Sequence, residues 1–237
     1  MASKGKISRK ELVHEPDEFM VLTGRVVTFL RTYQQQMIYA VLGIFLILGT
    51  AAIVRFVSNS NEEKASRMWA QVKAGYQAAL QENSAEGVGK ARAAVDADYL
   101  TLIDEYGGKQ AGKLARLNYA QLCLTAGKAE AALPHFQASV KALGDDPAWR
   151  TVILSGLAHA LAQTGDYGQA AERFEAIVSG GESKLKAEAL FQLGWLYEKT
   201  GDSAKGSKAY KRLVADYPDS SYAELVRDRI ARKKMEG

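Results

Sequence analysis

The spacing of apolar residues changes character twice along the chain. Phe19, Leu22, Val26, Phe29, Leu30 and Tyr33 recur at three- and four-residue intervals, while Glu18, Arg25, Thr28, Thr32 and Gln35 fall on the other side and Val21 breaks the pattern. With Pro16 and Asp17 as a start signal, this spacing predicts an amphipathic helix over about 17–35. Residues 37–54, MIYAVLGIFLILGTAAIV, then run eighteen positions without a charge or a period. At 1.5 Å per residue such a helix is about 27 Å long, close to the ~30 Å hydrocarbon core of a bilayer. Ten of its residues are Leu, Ile, Val or Phe, and Tyr39 and Arg55 sit near its ends, where a belt aromatic and a snorkelling cation are tolerated. A transmembrane helix over 37–57 is expected. The polar run that follows, 58–65, reads as a linker, and from residue 66 helical periodicity returns and persists.

The C-terminal part repeats itself. Residues 117–140 (LNYAQLCLTAGKAEAALPHFQASV) carry Gly127, Ala132 and Phe136. The next copy, LSGLAHALAQTGDYGQAAERFEAIV, carries Gly165, Ala170 and Phe174, and the third, LFQLGWLYEKTGDSAKGSKAYKRLV, carries Gly201, Gly206 and Tyr210. All three marks advance by 38 and then by 36 residues. Each copy reads as an apolar helix, a turn at a C-cap glycine and a second apolar helix, with a small residue where the pair approaches closely. Units are expected at 113–150, 151–186 and 187–220. A degenerate unit at about 66–110 precedes them, because YLTLIDEY parallels YKRLVADY; Trp69, Val72, Tyr76 and Leu80 would line its first helix. Residues 221–235 would form a capping helix, polar and basic on its outer face. The fold class predicted is all-α, a single N-terminal membrane helix followed by a helix-turn-helix solenoid over 66–237.

This pattern resembles the tetratricopeptide repeat. The copy starting at Ala187 matches best: Leu190, Leu193, Gly194 and Tyr197 take the positions of the first helix, Gly206 replaces the small alanine, Tyr210 is the aromatic and Pro218 the terminal proline. Gly194 sits mid-helix beside Trp195, where glycine costs about 1 kcal/mol relative to alanine. The expected reason is a neighbouring helix crossing too closely for a side chain. The resemblance implies a concave groove lined by the first helix of each unit, here Leu117, Gln121, Leu124, Ser155, His159, Gln163, Phe191, Trp195 and Glu198. Such a wall would take an extended peptide or a helix of another protein, with Trp195 the leading contact. Repeats of this kind that clamp a C-terminal carboxylate use Lys and Asn in the groove; Leu117 and Gln121 stand in those places.

Charge and rare residues exclude several functions. The net charge is +4 and the pI about 9.0, but from residue 58 onward 24 basic residues face 23 acidic ones. That near-neutral domain lacks the basic, aromatic face of a nucleic-acid binder. Cys123 is the only cysteine, so neither an internal disulfide nor a cysteine zinc site is possible, and His14, His135 and His159 show no ligand spacing. No HExxH, nucleophile elbow or phosphate loop occurs, and Gly87-Val88-Gly89 lacks the Lys-Ser/Thr partner. No enzyme, cofactor, metal or small-molecule substrate is expected. Six basic residues (Lys4, Lys6, Arg9, Lys10, Arg25, Arg31) precede the span, and Arg55, Lys64 and Arg67 follow it closely. This excess places residues 1–36 in the cytoplasm and the repeats across the membrane. The segment 17–35 either lies in the membrane interface or extends the span into water.

The order of parts, a short segment with Asp17-Glu18-Phe19, one span and degenerate repeats, is similar to the YfgM-like family of bacterial inner-membrane proteins, ancillary subunits of the SecYEG translocon. The resemblance implies a periplasmic domain that contacts translocating proteins and hands them to chaperones. A scaffold of another envelope machine, serving division, cell-wall or outer-membrane assembly, is the alternative; a repeat lipoprotein is disfavoured because Cys123 cannot be lipidated after a signal peptide.

Overall fold

The computed structural model describes residues 18–82 and 87–236, and among these every regular element is a helix. They are α1 (Glu18–Thr32), α2 (Gln34–Glu82), α3 (Gly87–Tyr106), α4 (Gln110–Thr125), α5 (Ala129–Leu143), α6 (Pro147–Gln163), α7 (Tyr167–Ser179), α8 (Lys186–Lys199), α9 (Ser203–Asp216) and α10 (Ser221–Glu236). The chain forms two units, Met1–Asn59 and Ser60–Gly237. Residues 1–17, with the Pro16-Asp17 start signal, lie outside the described residues.

In the first unit α1 and α2 meet at a bend at Tyr33, whose ring lies 4.8 Å from that of Phe29. Helical hydrogen bonds run across it, from Tyr33 N to Phe29 O and from Met37 N to Tyr33 O. The apolar stretch of α2 turns its side chains outward; Phe45 is 69% and Leu46 72% exposed. Water would penalise that exposure heavily. α2 is the one described helix long and apolar enough to cross a membrane.

The second unit begins within α2, and here the structure departs from the sequence reading. Residues 58–65 are helical rather than a linker. Ala65 is fully buried, and the Glu62 carboxylate accepts hydrogen bonds from the backbone N–H groups of Gln110 (3.0 Å) and Ala111 (2.8 Å). Lys109, the N-cap of α4, offers no side-chain cap, so Glu62 satisfies the orphan amides from 48 residues away and places its charge at the positive helix end.

From α4 onward the helices pair and stack in chain order, α4 with α5, α6 with α7 and α8 with α9, each pair packing on the next. The turns within the pairs are built alike. Gly127, Gly165 and Gly201 adopt φ of 71°, 86° and 86°, the left-handed region open to glycine. The following residue donates back to the helix, Lys128 to Cys123 O, Asp166 to Leu161 O and Asp202 to Tyr197 O, completing a Schellman motif each time. Asp166 and Asp202 then cap the next helix through Gln169 N and Lys205 N. The large marks Phe136, Phe174 and Tyr210 fill the core, and Ala132 and Ala170 are fully buried. Gly194 sits directly under the Tyr210 ring: a Cβ there would lie 2.5 Å from Cδ1 and Cζ. Opposite it Gly206 approaches Gly194 O, where a Cβ would come within 3.0 Å. The pair α8–α9 therefore closes glycine to glycine, with Tyr210 bridging the gap.

Candidate protein-interaction groove

The first helices of the three pairs, α4, α6 and α8, carry the nine positions expected to line a groove. Leu117, Ser155 and Phe191 are equivalent in the three units, as are Gln121, His159 and Trp195. Their environments differ. Leu117 and Leu124 are each only 7% exposed and belong to the core. α4 packs against α3, α5 and α6, and of the three expected α4 residues only Gln121 is exposed. Ser155 is likewise buried.

The last unit is occupied by its own chain. Phe191 packs between Tyr210 (6.1 Å between ring centres) and Tyr222 of α10 (5.4 Å). Glu198 pairs with Arg229 of α10, and both reach the Tyr210 hydroxyl at 3.4 Å. Burial, then the Glu198 charge, pushes the Tyr210 phenol up to about 12, so it keeps its proton throughout the physiological range. Ala223 and Val226 of α10 are fully buried against the array. Phe191 and Glu198 are thus contacts of α10 rather than open groove wall.

What stays accessible is a row through the middle and end of the array. His159 Nε2 lies 2.8 Å from Glu188 Oε1, joining α6 to α8, and its ring meets Phe174 edge-on at 5.2 Å. Trp195 is half-buried, edge-on to Tyr167 at 5.8 Å, with the Lys199 ammonium 5.6 Å from its ring centre. Gln121 and Gln163 are exposed. The row offers an aromatic face with a cation beside it, a His–carboxylate pair and two amides, groups suited to holding a peptide.

Sequence reasoning missed Glu188 and Tyr167. Glu188 precedes Phe191 and Trp195 by three and seven positions on α8, a helical spacing that was available. Tyr167 opens a second helix, and no periodicity connects it to Trp195.

A group of titratable residues at the start of the array serves the fold. Arg92 Nη1 pairs with Asp96 at 2.6 Å, Tyr119 donates to the same carboxylate at 3.0 Å, and Cys123 Sγ lies 3.8 Å from Arg92 Nη1, tying α3 to α4. Burial raises the Cys123 thiol and lowers the His135 imidazole, the latter helped by Arg116, so both are neutral at neutral pH. Among the described residues no three His, Cys, Asp or Glu side chains are grouped to hold a metal ion.

Compared with known families, residues 28–232 match the model described as a tetratricopeptide repeat-like domain, a match that takes in the apolar stretch as well as every helix pair. No curated protein matches the chain significantly.

Proposed function

The chain belongs to the tetratricopeptide repeat-like domain family, and from that premise we propose that it is a membrane-anchored, non-enzymatic module that binds other proteins. Repeat domains of this family generally act as interaction scaffolds. The observation that carries the reading is the half-buried Trp195, edge-on to Tyr167 and with the Lys199 ammonium beside its ring. An aromatic pair of this kind is a typical anchor point for a partner. The exposed apolar stretch of α2 supports a single membrane span, and the basic residues before it support a cytoplasmic N-terminus with the repeats on the periplasmic side of a bacterial inner membrane. On the YfgM-like arrangement of parts, the partners are SecYEG translocon subunits, translocating envelope proteins or periplasmic chaperones.

A photo-crosslinking amino acid at Gln163, introduced into the full chain in intact cells, tests this. The expected adducts are translocon subunits or nascent envelope proteins, and they disappear with Trp195→Ala. Clean labelling that yields neither refutes the translocon reading, and adducts with division or cell-wall factors assign the chain to another scaffold. Topology is checked separately with Ser58→Cys, since Cys123 is fully buried. A membrane-impermeant thiol reagent should label it from the periplasm, and a shielded Cys reverses the orientation.

A further inference from the structure

The array has a second concavity on the other side of α8. Leu190, Leu193 and Tyr197 project roughly 160° around the helix axis from Glu188, Phe191 and Trp195. With Val178 of α7 and Ala209 of α9 they floor a cleft of about 500 Å³ between these two helices. One wall is basic: Lys205, Lys208 and Arg212 line it from α9. The facing wall presents Ser179 and a single carboxylate, Glu175, whose Oε1 accepts from the Tyr197 hydroxyl.

The cations are available. Lys205 Nζ reaches Asp202 at 3.2 Å and Arg212 Nε reaches Asp216 at 3.0 Å, but both pairs are well exposed and weakly held. Among the described residues no carboxylate lies within ion-pair distance of Lys208. The apolar atoms are recessed between two helices, where a flat bilayer surface does not reach, while side chains projecting from a peptide do.

We propose that this cleft docks an acidic amphipathic segment of a partner protein. Its apolar side chains enter over Val178 and Leu190, and its carboxylates run along Lys205, Lys208 and Arg212. The site is separate from the Trp195 groove, so the array can hold two protein segments on opposite faces.

The test uses the full chain in nanodiscs of zwitterionic lipid and a fluorescent peptide with leucine at three- and four-residue spacing and glutamate elsewhere. Saturable binding is expected, falling as salt rises. It should weaken at least about tenfold with Lys208→Glu plus Arg212→Glu, and likewise with Ser179→Trp, which fills the mouth of the cleft. Trp195→Ala should leave it unchanged. These positions other than Trp195 are exposed, and circular dichroism verifies that each variant keeps its helices. Equal binding of a peptide with lysine in place of glutamate overturns the proposal, as does binding that survives the charge reversal or depends on Trp195, or no saturable binding. Binding to anionic vesicles that the same charge reversal abolishes, without peptide binding, assigns the basic wall to a lipid surface and equally overturns it.

Discussion

Replacing Gly194 by alanine pits helix propensity against packing at one atom. In an open helix the change is worth about 1 kcal/mol of stability. Here the added methyl would lie 2.5 Å from Tyr210 Cδ1 and Cζ, whereas carbons in contact sit about 3.5–4.0 Å apart. The ring must retreat by roughly 1 Å or more, and it has little freedom: it is 5% exposed, Phe191 packs beside it, and Glu198 and Arg229 reach its hydroxyl. Forced overpacking costs about 1–3 kcal/mol, and expelling the ring would forfeit a comparable burial energy. The net expectation is a loss of up to about 2 kcal/mol despite the better helix former. Urea unfolding of the full chain in detergent, followed by tryptophan fluorescence, measures it as a midpoint shift, since repeat arrays need not unfold in one step. Gly168→Ala is the control: nothing lies within 4 Å of its Cβ, and it should stabilise by a few tenths to about 1 kcal/mol. Gly194→Ala combined with Tyr210→Leu should recover part of the loss, a coupling only direct contact produces. If Gly194→Ala proves as stabilising as Gly168→Ala, the close-approach account of this glycine is wrong.

Three further outcomes are expected. Glu62→Ala should destabilise by about 0.5–2 kcal/mol through loss of the α4 cap, and hydrogen exchange should quicken first at the Gln110 and Ala111 amides. The Asp202 carboxyl is held below its usual range by the Lys205 backbone N–H and then its ammonium. Its contribution is therefore complete above the unfolded aspartate range and lost as pH falls through the lower folded value; Asp202→Asn should flatten that acid limb of the stability profile. Arg229→Ala should loosen α10, making its bonds cleave sooner in limited proteolysis while α4–α7 resist as before.

The repeats were legible because their marks encode local chemistry. A positive-φ glycine followed by a capping aspartate leaves the same letters, Thr-Gly-Asp, in two copies, and the small and large core residues keep constant offsets. Gly194 was readable for the same reason, as a conflict between propensity and periodicity that only a close crossing resolves. Faces shared between distant segments were not legible. Leu117 and Leu124 occupy groove positions by register, but their burial depends on how the neighbouring helices pack on α4. The contacts of α10 with Phe191 and Glu198, and of Trp195 with Tyr167, join residues with no common period. Residues 58–65 looked like a linker because they are polar, and nothing nearby in the sequence announces that Glu62 serves a helix 48 positions later.

The fit of α10 also determines which unit it can follow. It docks on Phe191, Tyr210 and Glu198; the preceding unit offers Ser155, Phe174 and Ala162 at the equivalent positions, without the aromatic, the hydroxyl or the charge. A chain shortened by one unit would present α10 with a surface it does not match, and the apolar face of that helix would be left to find another molecule. The place of α10 behind the third pair is in this sense specified twice, once by the order of the chain and again by a surface that the preceding pair does not offer.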